Sequence, residues 1–173
     1  MIKELPEDLI VSVEGGSEEL RELVYEATFF YLKLLLKRKI KNINIDIELV
    51  DNLRKKEKIF GDAITGETYK DIIIRLNNSK TNYQLVLLNL AHEMVHAKQY
   101  IRKELVDLNL TTAKWKGENI VHEDYHYFDH PWEIDATGRE RGLYFRFISN
   151  GGYQKQKWVK EFPRWMEEYK IKP

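Results

Sequence analysis

The chain holds 173 residues, enough for one core and too few for two independent ones. Hydrophobic residues make up 43% and charged residues 32%, which excludes wholesale disorder. The 28 basic and 28 acidic residues cancel and cysteine is absent, so a global positive field, disulfide scaffolds, thiolate-bound zinc, iron–sulfur clusters and thiol nucleophiles all drop out; any metal must use His, Asp or Glu.

Met1 to Asp8 is acidic and lacks a long apolar core, so no secretory signal is expected. Nothing approaches ~18 consecutive apolar residues, and no membrane partner is expected. The chain reads as a soluble, cytoplasmic, single-domain protein, residues 1–173, with a monomer favoured; a mature secreted form stripped of its signal would read the same. Leu9 to Val13 is a short apolar run closed by Gly15-Gly16, a first strand. Ser17 is a helix N-cap, with Glu18, Glu19 and Glu22 complementing the helix dipole. Leu20, Leu23, Val24, Ala27, Phe30, Tyr31, Leu34 and Leu35 recur at helical spacing, which predicts a helix to about Lys39.

Ile43, Ile45, Ile47 and Leu49 then alternate with Asn44, Asp46 and Glu48, the pattern of a half-buried strand. A charged turn, Arg54 to Lys58, leads to a strand over Ile59 to Ile64. Thr65-Gly66-Glu67 turns the chain into a third strand, Tyr69 to Leu76. A long helix is expected from about Thr81 to Leu105, with Leu87, Leu90, Met94, Ala97, Ile101 and Leu105 as its apolar seam. Residues 107–131 show no clear period and hold three of the five histidines. Pro131 suits the first position of a helix running to about Ile148, and Asn150-Gly151-Gly152 ends it. Trp158, Phe162, Trp165, Met166 and Tyr169 predict a tail helix, within residues 150–173, docked on the core; Pro163 must start or kink it.

The chemistry sits in His92-Glu93-Met94-Val95-His96. Residues four apart on a helix share one face, so both imidazoles can reach one metal, and the glutamate between them can reach a water beside that metal without being a ligand. With five histidines in the chain, chance would supply such a match at on the order of 0.02 per sequence. Leu87, Leu88, Leu90, Ala91, Val95 and Ala97 place it on a buried helical segment free of Gly and Pro. A second match, His122-Glu123-Asp124-Tyr125-His126, has no apolar seam and reads as a loop or frayed turn.

A catalytic zinc needs a third protein ligand and one open position. The candidates are Glu133, His126, His130, His122 and Asp135. Glu133 is favoured because it opens a helix, and because Ala136, Gly138 and Gly142 would let that helix approach the first one. Tyr125, His126, Tyr127 and His130 are candidate oxyanion or substrate contacts.

These residues resemble the zincin metallopeptidases, more narrowly the gluzincin type, whose third ligand is a glutamate on a following helix. Pro131-Trp132-Glu133-Ile134-Asp135-Ala136 is similar to the Pro-Trp-Glu-x-[Glu/Asp]-Ala segment of small phage-type and bacterial metallopeptidase domains. Trp115-Lys116-Gly117 is similar to an element between their two motifs. The Glu-x-x-Ala pattern is also similar to ImmA/IrrE-type peptidases, which cleave regulatory proteins. SprT-like proteases, which act on DNA-bound proteins, need a histidine third ligand, and Lys116 stands where one would be wanted.

The resemblance implies an α+β minimal zincin fold. It would have an N-terminal helix, a three-to-four-stranded, mostly antiparallel sheet, a metal-binding helix and a following ligand helix. It implies a Zn2+-dependent peptidase acting on a protein or peptide, with His92, His96 and Glu133 as ligands and Glu93 as general base. The strand Asp71 to Leu76 is expected to present an edge to substrate. The rival readings are a binding or regulatory module without protease activity and a nucleic-acid-associated protease. Lys33, Lys37, Arg38, Lys39, Lys41, Lys55, Lys56 and Lys58 are the basic residues that the second rival would use.

Overall fold

The computed structural model describes residues 9–37 and 41–163. It is an α+β fold. The strand β1 (Leu9–Gly15) leads into the helix α1 (Glu18–Leu36), and β2 (Ile43–Val50) into a short helix, α2 (Leu53–Glu57). The strands β3 (Gly61–Thr65) and β4 (Asp71–Asn77) precede the long helix α3 (Tyr83–Ile101). Three short strands follow, β5 (Leu105–Asp107), β6 (Thr112–Trp115) and β7 (Glu118–Val121), then two 3-10 turns and the helix α4 (Pro131–Asn150). No helix of the described residues is long and apolar enough to cross a membrane.

The helices α1 and α3 each start where a side chain satisfies a free backbone donor. The Ser17 hydroxyl accepts from the Leu20 amide at 3.2 Å, and Asn82 Oδ1 accepts from the Leu85 amide at 3.1 Å. Lys37, in the left-handed conformation at φ 52°, closes α1 just short of Arg38 and Lys39, which lie outside the described residues.

The four-stranded sheet has the order β1-β2-β4-β3. Leu9, Ile43, Ile45, Ile47, Leu49, Ala63, Ile72, Ile74 and Leu76 point to its buried face, where α1 and α3 pack, and α4 packs on α3. Alternation put the right residues inside, but alternation says nothing of strand direction. In this sheet β1–β2 and β2–β4 are parallel and only β3–β4 is antiparallel, because α1 carries the chain back before β2, and β3 lies outside β4 rather than between β4 and β2. The other antiparallel pairs belong to a separate sheet, β5-β6-β7. The order also corrects the expected substrate edge: β4 is interior, and β3 is the edge strand beside α3.

Leu105 lies not in α3 but in β5, and the stretch 107–131 is more ordered than its lack of period suggests. Lys116 and Gly117 both take positive φ, 49° and 99°, and make the two-residue hairpin between β6 and β7. Ala113, Leu105 and Trp132 form a small second core there. The expected tail helix is absent over 151–163: a 3-10 turn, Tyr153–Lys155, gives way to irregular chain. That chain is docked all the same, with Trp158 against Tyr83 and Tyr153, and Phe162 against Phe145. Buried Gln84 Oε1 accepts from the Lys160 and Glu161 amides at 2.6 and 3.1 Å. Trp165, Met166 and Tyr169 lie outside the described residues.

Candidate metal centre

Helix α3 carries His92, Glu93 and His96, and the two histidines turn toward the first turn of α4. Leu87, Leu90, Ala91, Met94 and Val95 anchor this part of α3 in the core with no measurable exposure, so the histidine face is rigidly set. Pro131 is the first residue of α4, and Glu133 follows inside its first turn. Ala136, fully buried, lets the two helices approach. Gly138 and Gly142 play no part in that approach, since a Cβ on either would meet nothing within 4 Å and both face outward.

His92 Nε2 and His96 Nε2 are 3.1 Å apart, and the Glu133 carboxylate oxygens lie 3.3 Å from the first and 3.4 Å from the second. Among the described residues this is the one group of three such side chains whose donor atoms lie within 4.8 Å of one another, close enough to hold a metal ion. The outer ring nitrogens are held elsewhere. His92 Nδ1 meets Glu140 Oε2 at 2.8 Å, and His96 Nδ1 meets Gln99 Oε1 at 2.9 Å. Both partners are acceptors, so each Nδ1 carries the proton and each Nε2 can present a lone pair inward. Glu133 Oε2 is buried with no hydrogen-bond partner.

Two ring nitrogens and a carboxylate that converge on one point could hold a cation once His92 gives up its inner proton. The spacing suits one: nitrogens at ~2.0–2.1 Å from a tetrahedral zinc lie about 3.3 Å from each other. Two imidazoles and one carboxylate, with no fourth protein ligand among the described residues, are also the donor set of an open zinc site.

The field inside the cluster is strong. Burial opposes charge on His92, but hydrogen bonds to Glu133 and Glu140 outweigh it and push its pKa up to about 10. Burial would raise Glu133, yet the two imidazoles of His92 and His96 beside it draw it down to about 2. Glu93 touches no ligand atom of the set in a hydrogen bond. Its burial pushes it up to about 7, against the pull of His96 and His92.

The other candidates fall outside the cluster. His130 is buried, stacked on Trp132 with ring centroids 4.6 Å apart, and its Nδ1 donates to the Tyr127 carbonyl at 2.8 Å. His122 sits beside it, centroids 5.3 Å apart, on a 3-10 turn as a frayed-turn reading implies. His126 is exposed and lies near Phe128. Asp135 points away, toward Arg139 Nε at 2.7 Å, Gln99 and Lys98. Of the oxyanion candidates, Tyr127 feels the cluster: desolvation of its hydroxyl and the charges of Glu133 and Glu93 raise it well above the ordinary tyrosine value, although the residue as a whole is exposed. Tyr125 packs against His130 instead.

Sequence reasoning missed Gln99 and Glu140. A signal existed for both: Gln99 is one turn beyond His96, and Glu140 is two turns beyond Glu133 on the same face of α4. It also missed Gly61, where a Cβ would stand 3.2 Å from Glu93 Oε1. Comparison with protein families, with curated proteins and with solved structures finds no match for this chain.

Proposed function

We propose that this protein is a zinc-dependent peptidase, and one observation carries the reading. A three-ligand cluster of two histidines and a glutamate lies beside a buried glutamate, Glu93, that is not one of the ligands. A closed structural zinc site takes four protein ligands and has no use for such a neighbour. A bound zinc ion supplies Lewis acidity, polarising a carbonyl and making a water more acidic.

The chain's own residues account for the rest. Glu93, with a pKa near 7, is matched to take a proton from the attacking water at neutral pH and to return it to the leaving amine. His92, His96 and Glu133 hold the centre, and Glu140 and Gln99 keep both imidazoles turned inward. Tyr127 stays protonated at neutral pH and is a candidate hydroxyl donor for the developing oxyanion. A peptide substrate is favoured over a small ester or amide because the strand β3 passes beside Glu93, and an extended chain can pair with its open edge.

The test is hydrolysis of a mixed peptide library by zinc-loaded wild-type protein, chelated protein and Glu93→Gln. Loaded wild type should cleave, chelated protein should not, and Glu93→Gln should keep its zinc while losing about 10²–10⁴-fold in rate. No cleavage by loaded wild type, or equal cleavage by Glu93→Gln, would remove the peptidase reading. Protease activity on regulatory or DNA-bound proteins has no particular observation in its favour.

A further inference from the structure

The three ligands come from two helices, so the centre exists only if α3 and α4 hold one relative position. Gln99 is placed to set it. It lies on α3 one turn past His96 and is fully buried. Its side chain makes three polar contacts. Nε2 reaches the Trp132 carbonyl at 3.0 Å and Asp135 Oδ2 at 3.2 Å, and Oε1 faces His96 Nδ1 at 2.9 Å.

The chemistry of these partners fixes the amide's orientation. The Trp132 carbonyl accepts and cannot donate, and Asp135 is an ionised carboxylate held by Arg139 and Lys98. Both demand the NH2 end of the amide, which leaves only the oxygen for His96. His96 must then carry its proton on Nδ1 and keep Nε2 bare. Trp132 is the residue before Glu133. One side chain therefore grips a ligand on α3 and the backbone next to a ligand on α4.

Glu140 has no such double role. Among the described residues it meets His92 alone, and its side chain is 28% exposed. A charged, part-exposed partner can be replaced by water more readily than a buried neutral one.

We infer that Gln99 is the positioning residue of the centre, setting the His96 tautomer and docking the Glu133 end of α4 through one amide. The inference rests on the cluster as a metal site and not on peptide hydrolysis. Without Gln99 the His96 proton is better placed on Nε2, where the Glu133 carboxylate oxygen Oε1 stands at 3.4 Å to receive it. That would block the lone pair a metal needs.

The experiment uses full-length wild type, Gln99→Met and Gln99→Glu. The metal-free proteins are compared by imidazole ¹⁵N NMR, and zinc affinity is measured by competition with a chromophoric chelator. Wild type should show His96 protonated at Nδ1. Gln99→Met, close in shape but without the amide's donors and acceptor, should shift that proton toward Nε2 and lose about 10–100-fold in zinc affinity. Gln99→Glu keeps the acceptor for His96 but sets an oxygen against the Trp132 carbonyl and Asp135. It should retain the Nδ1 proton and still bind zinc less tightly, and it carries the test if Gln99→Met does not fold. An unchanged tautomer in Gln99→Met, or zinc affinity within about twofold of wild type in a folded variant, would overturn the inference. Wild type that takes up no zinc would defeat the metal site itself, and the tautomer alone would then judge Gln99.

Discussion

Two carboxylates in one pocket are driven in opposite directions. For Glu93 burial outweighs the pull of His96 and His92 and it rises to about 7, while for Glu133 the closer imidazoles outweigh burial and it falls to about 2. That split matches the roles proposed for them, Glu93 as base and Glu133 as ligand. It predicts that Glu133→Ala lowers zinc affinity far more than His130→Ala or His126→Ala, read by zinc titration; equal losses would put the third ligand elsewhere. The same pocket makes metal binding pH-dependent. In the metal-free protein His92 is raised to about 10, so at neutral pH a metal must displace its proton. Apparent zinc affinity should fall about tenfold per unit as pH drops from roughly 8 to 6; a flat profile would contradict a protonated His92. Stability follows the same signs. The raised His92 contributes fully below its ordinary 6.5 and is lost as pH climbs through about 10. The depressed Glu133 contributes above its ordinary 4.5 and is lost as pH falls through about 2. The raised Glu93 works against folding as pH rises from 4.5 through 7.

Among the elements, β3 is the one whose role changed most between sequence and structure. Asp71 to Leu76 is the more apolar strand and draws attention, but its apolar character is that of an interior strand with neighbours on both sides. Gly61 begins β3 and lies against Glu93. A Cβ there would come within 3.0 Å of the Arg75 carbonyl oxygen and 3.2 Å of Glu93 Oε1. Gly61→Ala should therefore shift Glu93 and lower turnover by roughly ten- to a hundredfold while leaving zinc affinity within about twofold, since no ligand is touched. Rate and zinc titration on the same sample check it, and unchanged turnover would show that β3 yields instead. The start of α4 was readable from Pro131 and from the dipole-favoured Glu133. The outward direction of Gly138 and Gly142 was not, because spacing along one helix leaves open which side faces a neighbour.

At the scale of the whole molecule, the centre lies between α3 and α4, and both belong to the single large core. Metal held there by the folded state alone must stabilise the entire fold. Zinc at a thousandfold excess over its Kd should add about 4 kcal/mol to unfolding. Glu93→Gln should respond fully, and Glu133→Ala should respond weakly. Calorimetric scans with and without zinc decide this; equal stabilisation of Glu133→Ala would show the ion bound at another place.

Period and capping were legible without any structure. Alternation over 43–49, the helical seam from Leu87 to Ala97, Ser17 as a cap and His92-Glu93-x-x-His96 on one helical face all follow from local geometry, in which residues a few positions apart determine which face is buried. Strand direction, the choice of β3 as edge, the placing of Glu133 rather than His126, His130, His122 or Asp135 beside the two histidines, and the contacts of Gln99 with both helices were visible only in three dimensions. Each depends on contacts between segments far apart in the chain, such as Gln99 with Trp132 and His92 with Glu140, whose partners no local pattern names. Over 156–162 the described tail is irregular for a related reason: Trp158 and Phe162 have helical spacing, but Gln84 and the aromatic rings of α3 and α4 offer an irregular chain partners.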